Sequence, residues 1–204
     1  MNRGEALGLE RSSLLGARAD RVYEWFERSV GLPGDVAECG VYRGETAREL
    51  ARYLRFHRIA KTVHLFDCFE GLPNLVTDEE REASVWKELG RGQYASSIEE
   101  VMATVGDLRC RVHAGMFSET LPRFGEPLCF IHADGDLYQS TVEVIEFAAR
   151  VLVPGGAIVF DDYGNPRLPG VKMAVERRLD PVQFRIIPSH DTIQCFAIRN
   201  GGPA

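Results

Sequence analysis

Five apolar runs in this chain of 204 residues each end on an acidic residue or a glycine, and those endings hold most of the side chains able to do chemistry. They are Glu38 with Gly40, then Asp67, then Gly115, then Asp134 with Asp136, and last Asp161 with Asp162. The two aspartate pairs close the runs Ile131-His132-Ala133 and Val159-Phe160. If those runs are neighbouring strands, three or four carboxylates converge, and each raises the others' pKa unless a cation compensates. Hard oxygen donors without histidine or cysteine suit Mg²⁺ ahead of Ca²⁺ or Mn²⁺. The plainer alternatives are a helix cap at Asp136 and a turn residue at Asp162. Two such pairs at strand ends favour the metal, because crowded acidic groups are costly without a function.

The stretch Glu38-Cys39-Gly40-Val41-Tyr42-Arg43-Gly44-Glu45-Thr46 reads as a strand-to-helix turn. Glycine lets backbone approach a ligand, and the helix start offers free N–H groups to a carboxylate or phosphate. Its two glycines are spaced G-x-x-x-G and miss the dinucleotide fingerprint G-x-G-x-x-G. Asp67, ending the next run, can accept hydrogen bonds from ribose hydroxyls, as in the nucleotide-binding halves of doubly wound folds. Together the two features favour an adenosine-bearing ligand.

These positions demand a scaffold of alternating strands and helices. Strands are expected at 36–39, 62–66, 110–113, 128–133, 157–160, 184–187 and 193–198. Helices are expected at 43–54, 138–152 and 171–179, with an opening amphipathic helix at 13–30 whose apolar stripe is Leu15, Val22, Trp25, Phe26 and Ser29. Pro154-Gly155-Gly156 reads as the stop after the 138–152 helix. Such alternation implies a mostly parallel sheet with helices on both faces, and ligands then bind at the carboxyl ends of its strands, where strand order reverses. The polar segment 74–94, which contains Trp86, is a candidate lid.

Length and composition fit one domain over 1–204, an N-terminal helix within 1–32 followed by a core over 33–200. A net charge of -6 and the lack of basic runs argue against nucleic acid and against an anionic membrane surface. No apolar stretch approaches the roughly 20 residues of a membrane span, and the first ten residues lack the apolar region of a secretory signal. Five scattered cysteines with no C-x-x-C read as free thiols in a reducing cytoplasm. The apolar face of the first helix is a possible homo-oligomer contact.

Four stretches carry a resemblance: Phe66–Pro73 (FDCFEGLP), Gly115–Pro122 (GMFSETLP), Asp134–Thr141 (DGDLYQST) and Phe160–Tyr163 (FDDY). They resemble the macrocin O-methyltransferase family, which methylates sugar hydroxyls on macrolides and related glycosylated natural products. Glu38–Gly44 is similar to that family's first glycine motif, and Val153–Gly156 to a turn shared by many class I methyltransferases. The resemblance runs from about Pro33 to Arg199. It implies a Rossmann-like class I methyltransferase fold: an α/β, seven-stranded, mostly parallel sheet with helices on both faces and the last strand antiparallel. It implies S-adenosylmethionine, Mg²⁺ and a small-molecule hydroxyl acceptor. Carried over by position, Glu38, Gly40 and Gly44 surround the methionine part, Thr46 binds its carboxylate and Asp67 holds the ribose. Gly115 and Phe117 flank the adenine, Phe69 belongs to the same cofactor-binding set, and Asp134, Asp161 and Asp162 hold the metal. Two departures stand out: a shorter N-terminal region, and Cys68 where serine is frequent.

The chemistry so implied is attack by a hydroxyl on an activated methyl group, with Asp134 as metal ligand and proton acceptor and with His132 and His190 as rival bases. Other readings are a phosphatase of the haloacid-dehalogenase kind, a metal-dependent glycosyltransferase using the D-x-D, and a non-catalytic S-adenosylmethionine-binding protein. A catechol-like vicinal diol is a second acceptor class, since two adjacent oxygens can chelate a metal.

Overall fold

The computed structural model describes residues 16–73 and 91–201. The start of the opening helix and most of the expected lid lie outside the described residues. Strands β1 (Asp35–Cys39), β2 (Val63–Asp67), β3 (Cys110–Ala114), β4 (Leu128–Ala133), β5 (Leu152–Phe160), β6 (Phe184–Pro188) and β7 (Cys195–Arg199) form one sheet in the order β3-β2-β1-β4-β5-β7-β6. β7 runs antiparallel to both β5 and β6, and the other pairings are parallel. Strand order reverses between β1 and β4, so the first and fourth of the expected strand ends lie side by side.

The helices are α1 (Ala17–Ser29), α2 (Glu45–Phe56), α3 (Ile98–Val105), α4 (Phe117–Thr120), α5 (Tyr138–Val151) and α6 (Pro169–Arg178). The central strands carry apolar residues toward both faces, as burial on two sides requires. Ala157 and Val159 of β5 join a core with α1, α2 and α3, while Ile158 and Phe160 join a second core with α5 and α6. Of the expected stripe of α1, Val22, Trp25, Phe26 and Ser29 are buried, and Leu15 lies outside the described residues. Its target is the chain's own sheet: Trp25 stacks on Phe196 at 5.2 Å and Phe26 meets Phe130 edge-on at 5.3 Å. That face is therefore spent inside the fold and is not open to a second copy.

Two boundaries differ from expectation for local reasons. α2 starts after Gly44, whose φ of 80° is left-handed and cannot continue a helix backwards. The Pro154-Gly155-Gly156 segment does follow the end of α5 at Val151, and it also lies within β5, which pairs with β4 on both sides of a register shift. There Gly156 passes the Cys129 and Val153 carbonyls so closely that a Cβ would lie 2.9 Å from each. Among the described residues no helix is long and apolar enough to cross a membrane, and all five cysteines are free.

Candidate active site

A cleft of about 370 Å³ opens at the carboxyl ends of β1, β2, β4 and β5, within the size range of small-molecule sites. Its first wall is the β1–α2 loop. Gly40 has φ 89°, its N–H donates to the Phe66 carbonyl, and a Cβ there would run into the Asp134 backbone. Only glycine lets the two loops at the switch point lie against each other. Asp67 organises the same loop from β2. One of its carboxylate oxygens accepts from the Val41 N–H at 2.7 Å and the Tyr42 N–H at 3.1 Å; the other accepts from the Phe69 N–H at 2.7 Å. A carboxylate has roughly four acceptor sites, so it retains room for about one further donor, not for a ribose diol in full. Thr46, in the first turn of α2, lines the cleft, and no side chain caps that helix start.

The opposite wall is acidic. β4 and β5 are neighbours, and the Asp161 N–H continues their ladder by donating to the Ala133 carbonyl. The carboxylates of Asp134, Asp136 and Asp162 bring one oxygen each within 4.8 Å of one another. Asp136 is not a helix cap: Leu137 holds that position, and a φ of 59° turns Asp136 out of the helical path. Asp161 belongs to a different group, with His132 and Asp134. Its carboxylate accepts from Gln194 Nε2 at 2.5 Å and pairs with the Arg18 guanidinium, which also stands 3.5 Å from Asp162. Burial first, and then the neighbouring Asp162, push Asp134 up to about 7. Burial together with Asp134 and Asp162 holds Asp136 well above the usual carboxylate range. An all-oxygen trio in which Asp134 and Asp136 are both raised is the donor chemistry a hard divalent cation fits, because such an ion would displace the protons those two carboxyls retain.

Beneath the cleft, across the β1–β4 seam, His132 Nδ1 lies 3.2 Å from Glu38 Oε1. Both side chains are buried, and Glu38 Oε2 and His132 Nε2 have no hydrogen-bond partner. Burial raises the Glu38 pKa, while the Glu38 carboxylate outweighs burial at His132 and raises the imidazole.

Of the residues singled out from sequence, Glu38, Gly40, Thr46, Asp67, Phe117, Asp134 and Asp162 line the cleft. Gly44, Phe69, Gly115 and Asp161 stand behind its wall. Gly44 precedes α2, Phe69 packs in the core beside that helix, and Gly115 donates its N–H to the Asp67 carbonyl. His190 is exposed between β6 and β7, away from the cleft, and His132 lies behind it. Sequence reasoning missed Arg18, Tyr42 and Tyr94. Arg18 is an ordinary surface position on a helical wheel, so no local pattern marks it. The two tyrosines meet edge-on at 5.8 Å on the rim, and both have positive φ, at 48° and 62°.

A family model described as macrocin-O-methyltransferase (TylF) matches residues 12–181. The chain is 37% identical over 145 residues to the 8-demethyl-8-(2,3-dimethoxy-alpha-L-rhamnosyl)-tetracenomycin-C 4'-O-methyltransferase of Streptomyces olivaceus, a match covering 65% of this chain and 54% of that protein. It is 32% identical over 147 residues to the mycinamicin III 3''-O-methyltransferase of Micromonospora griseorubida, covering 67% and 58%. These matches span little more than half the length of the curated relatives. Among solved structures, that of the O-methyltransferase NovP aligns with a TM-score of 0.81 at 26% identity, over 94% of this chain and 84% of that one.

Proposed function

Because the chain belongs to the macrocin-O-methyltransferase family, we propose that it transfers a methyl group from S-adenosylmethionine to a hydroxyl of a sugar carried by a small natural product, with a divalent metal held on Asp134, Asp136 and Asp162. The observation that carries this reading is the convergence of those carboxylates beside the glycine loop at the switch point. The tetracenomycin and mycinamicin relatives, named for sugar O-methylation, support the acceptor class.

S-adenosylmethionine brings a methyl group already activated on a sulfonium, so this chain's work is placement. Asp67 and the Val41–Tyr42 backbone hold the nucleoside side of the cleft, and the start of α2 with Thr46 receives the carboxylate of the methionine part. A divalent ion on the aspartates would supply Lewis acidity to the acceptor hydroxyl. Asp134, common to both acidic groups, takes the hydroxyl proton. The Glu38–His132 pair sets the seam on which Asp134 stands.

The test is methyl transfer from labelled S-adenosylmethionine to a panel of deoxysugar-bearing polyketides, with Mg²⁺, with chelator, and with Mg²⁺ restored. Transfer in the first and third conditions is expected. Transfer indifferent to chelator would remove the metal, and cofactor binding without transfer to any acceptor would favour a non-catalytic binding protein.

A further inference from the structure

We propose that Asp35, His64 and Glu126 form a second divalent-cation site, of the zinc-like borderline class, at the end of the sheet opposite the cleft. Asp35 opens β1, His64 is the second residue of β2, and Glu126 stands just before β4. The order β2-β1-β4 sets these strands side by side, and one ligand atom from each residue lies within 4.8 Å of the other two.

The spacing suits a tetrahedral ion. Ligand bonds of about 2.0–2.2 Å at tetrahedral angles separate neighbouring donors by about 3.4 Å. His64 Nε2 lies 3.3 Å from Asp35 Oδ2 and 4.0 Å from Glu126 Oε2. The first distance is that of a His64–Asp35 hydrogen bond and is also close to the edge of a zinc tetrahedron. Glu126, 56% exposed, has the freedom to close the second.

Asp35 and His64 are also held from behind, as metal ligands are, while Arg111 is a cation that the ion would displace from Glu126. Asp35 Oδ1 accepts the Thr62 N–H at 3.0 Å. Arg111 Nη1 stands 3.8 Å from Glu126 Oε1. His64 Nδ1 lies 3.0 Å from His113 Nε2. The His64 ring is buried, with Phe124 edge-on at 4.7 Å, and His113 stacks on Phe66 at 4.4 Å. His64 Nε2 faces the carboxylates of both Asp35 and Glu126. One imidazole among the donors selects Zn²⁺ or Co²⁺ over Mg²⁺, in contrast to the all-oxygen trio of the cleft. The ion's effect here is to tie together the entries of three strands.

The experiment uses chelator-stripped full chain in millimolar Mg²⁺, which occupies the carboxylates of the cleft. Zn²⁺ is titrated calorimetrically, and Co²⁺ is followed by its visible absorption. The expected result is one equivalent of Zn²⁺, with intense tetrahedral Co²⁺ bands. Affinity should fall about tenfold or more in Glu126→Gln and stay unchanged in Asp162→Asn. Glu126 is half-exposed, so the variant keeps the fold even if His64→Gln does not. The site is refuted by no Zn²⁺ uptake in Mg²⁺, by uptake unaltered in Glu126→Gln, or by uptake lost in Asp162→Asn.

Discussion

Replacing Asp136 by Asn removes one of three carboxylates whose oxygens lie within 4.8 Å of one another. At that separation and an effective dielectric of about 20, two full charges repel by about 3.5 kcal/mol. The metal-free protein escapes part of this by retaining protons; burial first, and then the neighbouring carboxylates, raise Asp134 and Asp136. For Asp134, a rise from 3.8 to about 7 corresponds to about 4 kcal/mol. The folded state binds this proton more tightly than the unfolded chain does. The penalty is therefore absent below about pH 4, grows as pH climbs from there to about 7, and is complete above that. At about pH 8 in chelator, Asp136→Asn should stabilise the protein by about 2–4 kcal/mol, roughly 5–15 °C in melting temperature for a domain of this size. At about pH 4 the gain should vanish. Mg²⁺ should raise the melting temperature of the wild type at pH 8 and do little for the variant, whose methyl transfer is lost. Calorimetric melts at both pH values, with and without Mg²⁺, read all of this. A variant that melts at or below wild type at pH 8 in chelator would show that the carboxylates do not crowd, and the cation reading would fall with them.

Arg18→Ala removes a competing cation from Asp161 and Asp162; with this guanidinium about a third exposed, Mg²⁺ affinity should rise only about two- to fivefold by calorimetry. Gly40→Ala places a methyl group against the Asp134 backbone at φ 89° and should cost about 2–6 kcal/mol in denaturant melts, with loss of S-adenosylhomocysteine binding. Gly31→Ala, with open space around its Cα, is its control. Asp67→Asn weakens the hold on the Val41 and Tyr42 amides and should lower S-adenosylhomocysteine affinity about tenfold or more; unchanged affinity would place the ribose elsewhere.

The ends of the buried strands were readable because continuous apolar runs broken by acid or glycine have few other meanings in a chain of this kind. That is how Glu38, Gly40, Asp67, Asp134 and Asp162 surfaced as cleft residues before any coordinates. The place of Asp136 beside Asp134 and Asp162 was not readable, since it turns on a backbone dihedral, φ 59° at Asp136; Asp161 sits with Asp134 and His132 and is engaged by Gln194 and Arg18. Arg18 arrives from 143 positions earlier in the chain, a distance no periodicity encodes. α3 carries a local signal of its own. Ser97 and Glu100 form a reciprocal capping box, a pattern visible in S-x-x-E ahead of the apolar Val101 and Val105. The Phe69 ring, at a position the motif suggested for ligand contact, packs into the core beside α2.

The seam that joins β1 to β4 has a kinetic consequence. Its buried link between Glu38 and His132 spans 94 positions, so closing it demands a large loop entropy that only the finished sheet repays. A nascent chain can assemble β1, β2 and β3 with α2 and α3 and still own no cleft, because half of the walls have yet to arrive. Ligand binding in a refolding experiment should therefore appear with the slowest phase, making occupancy of the cleft a clock for the end of folding.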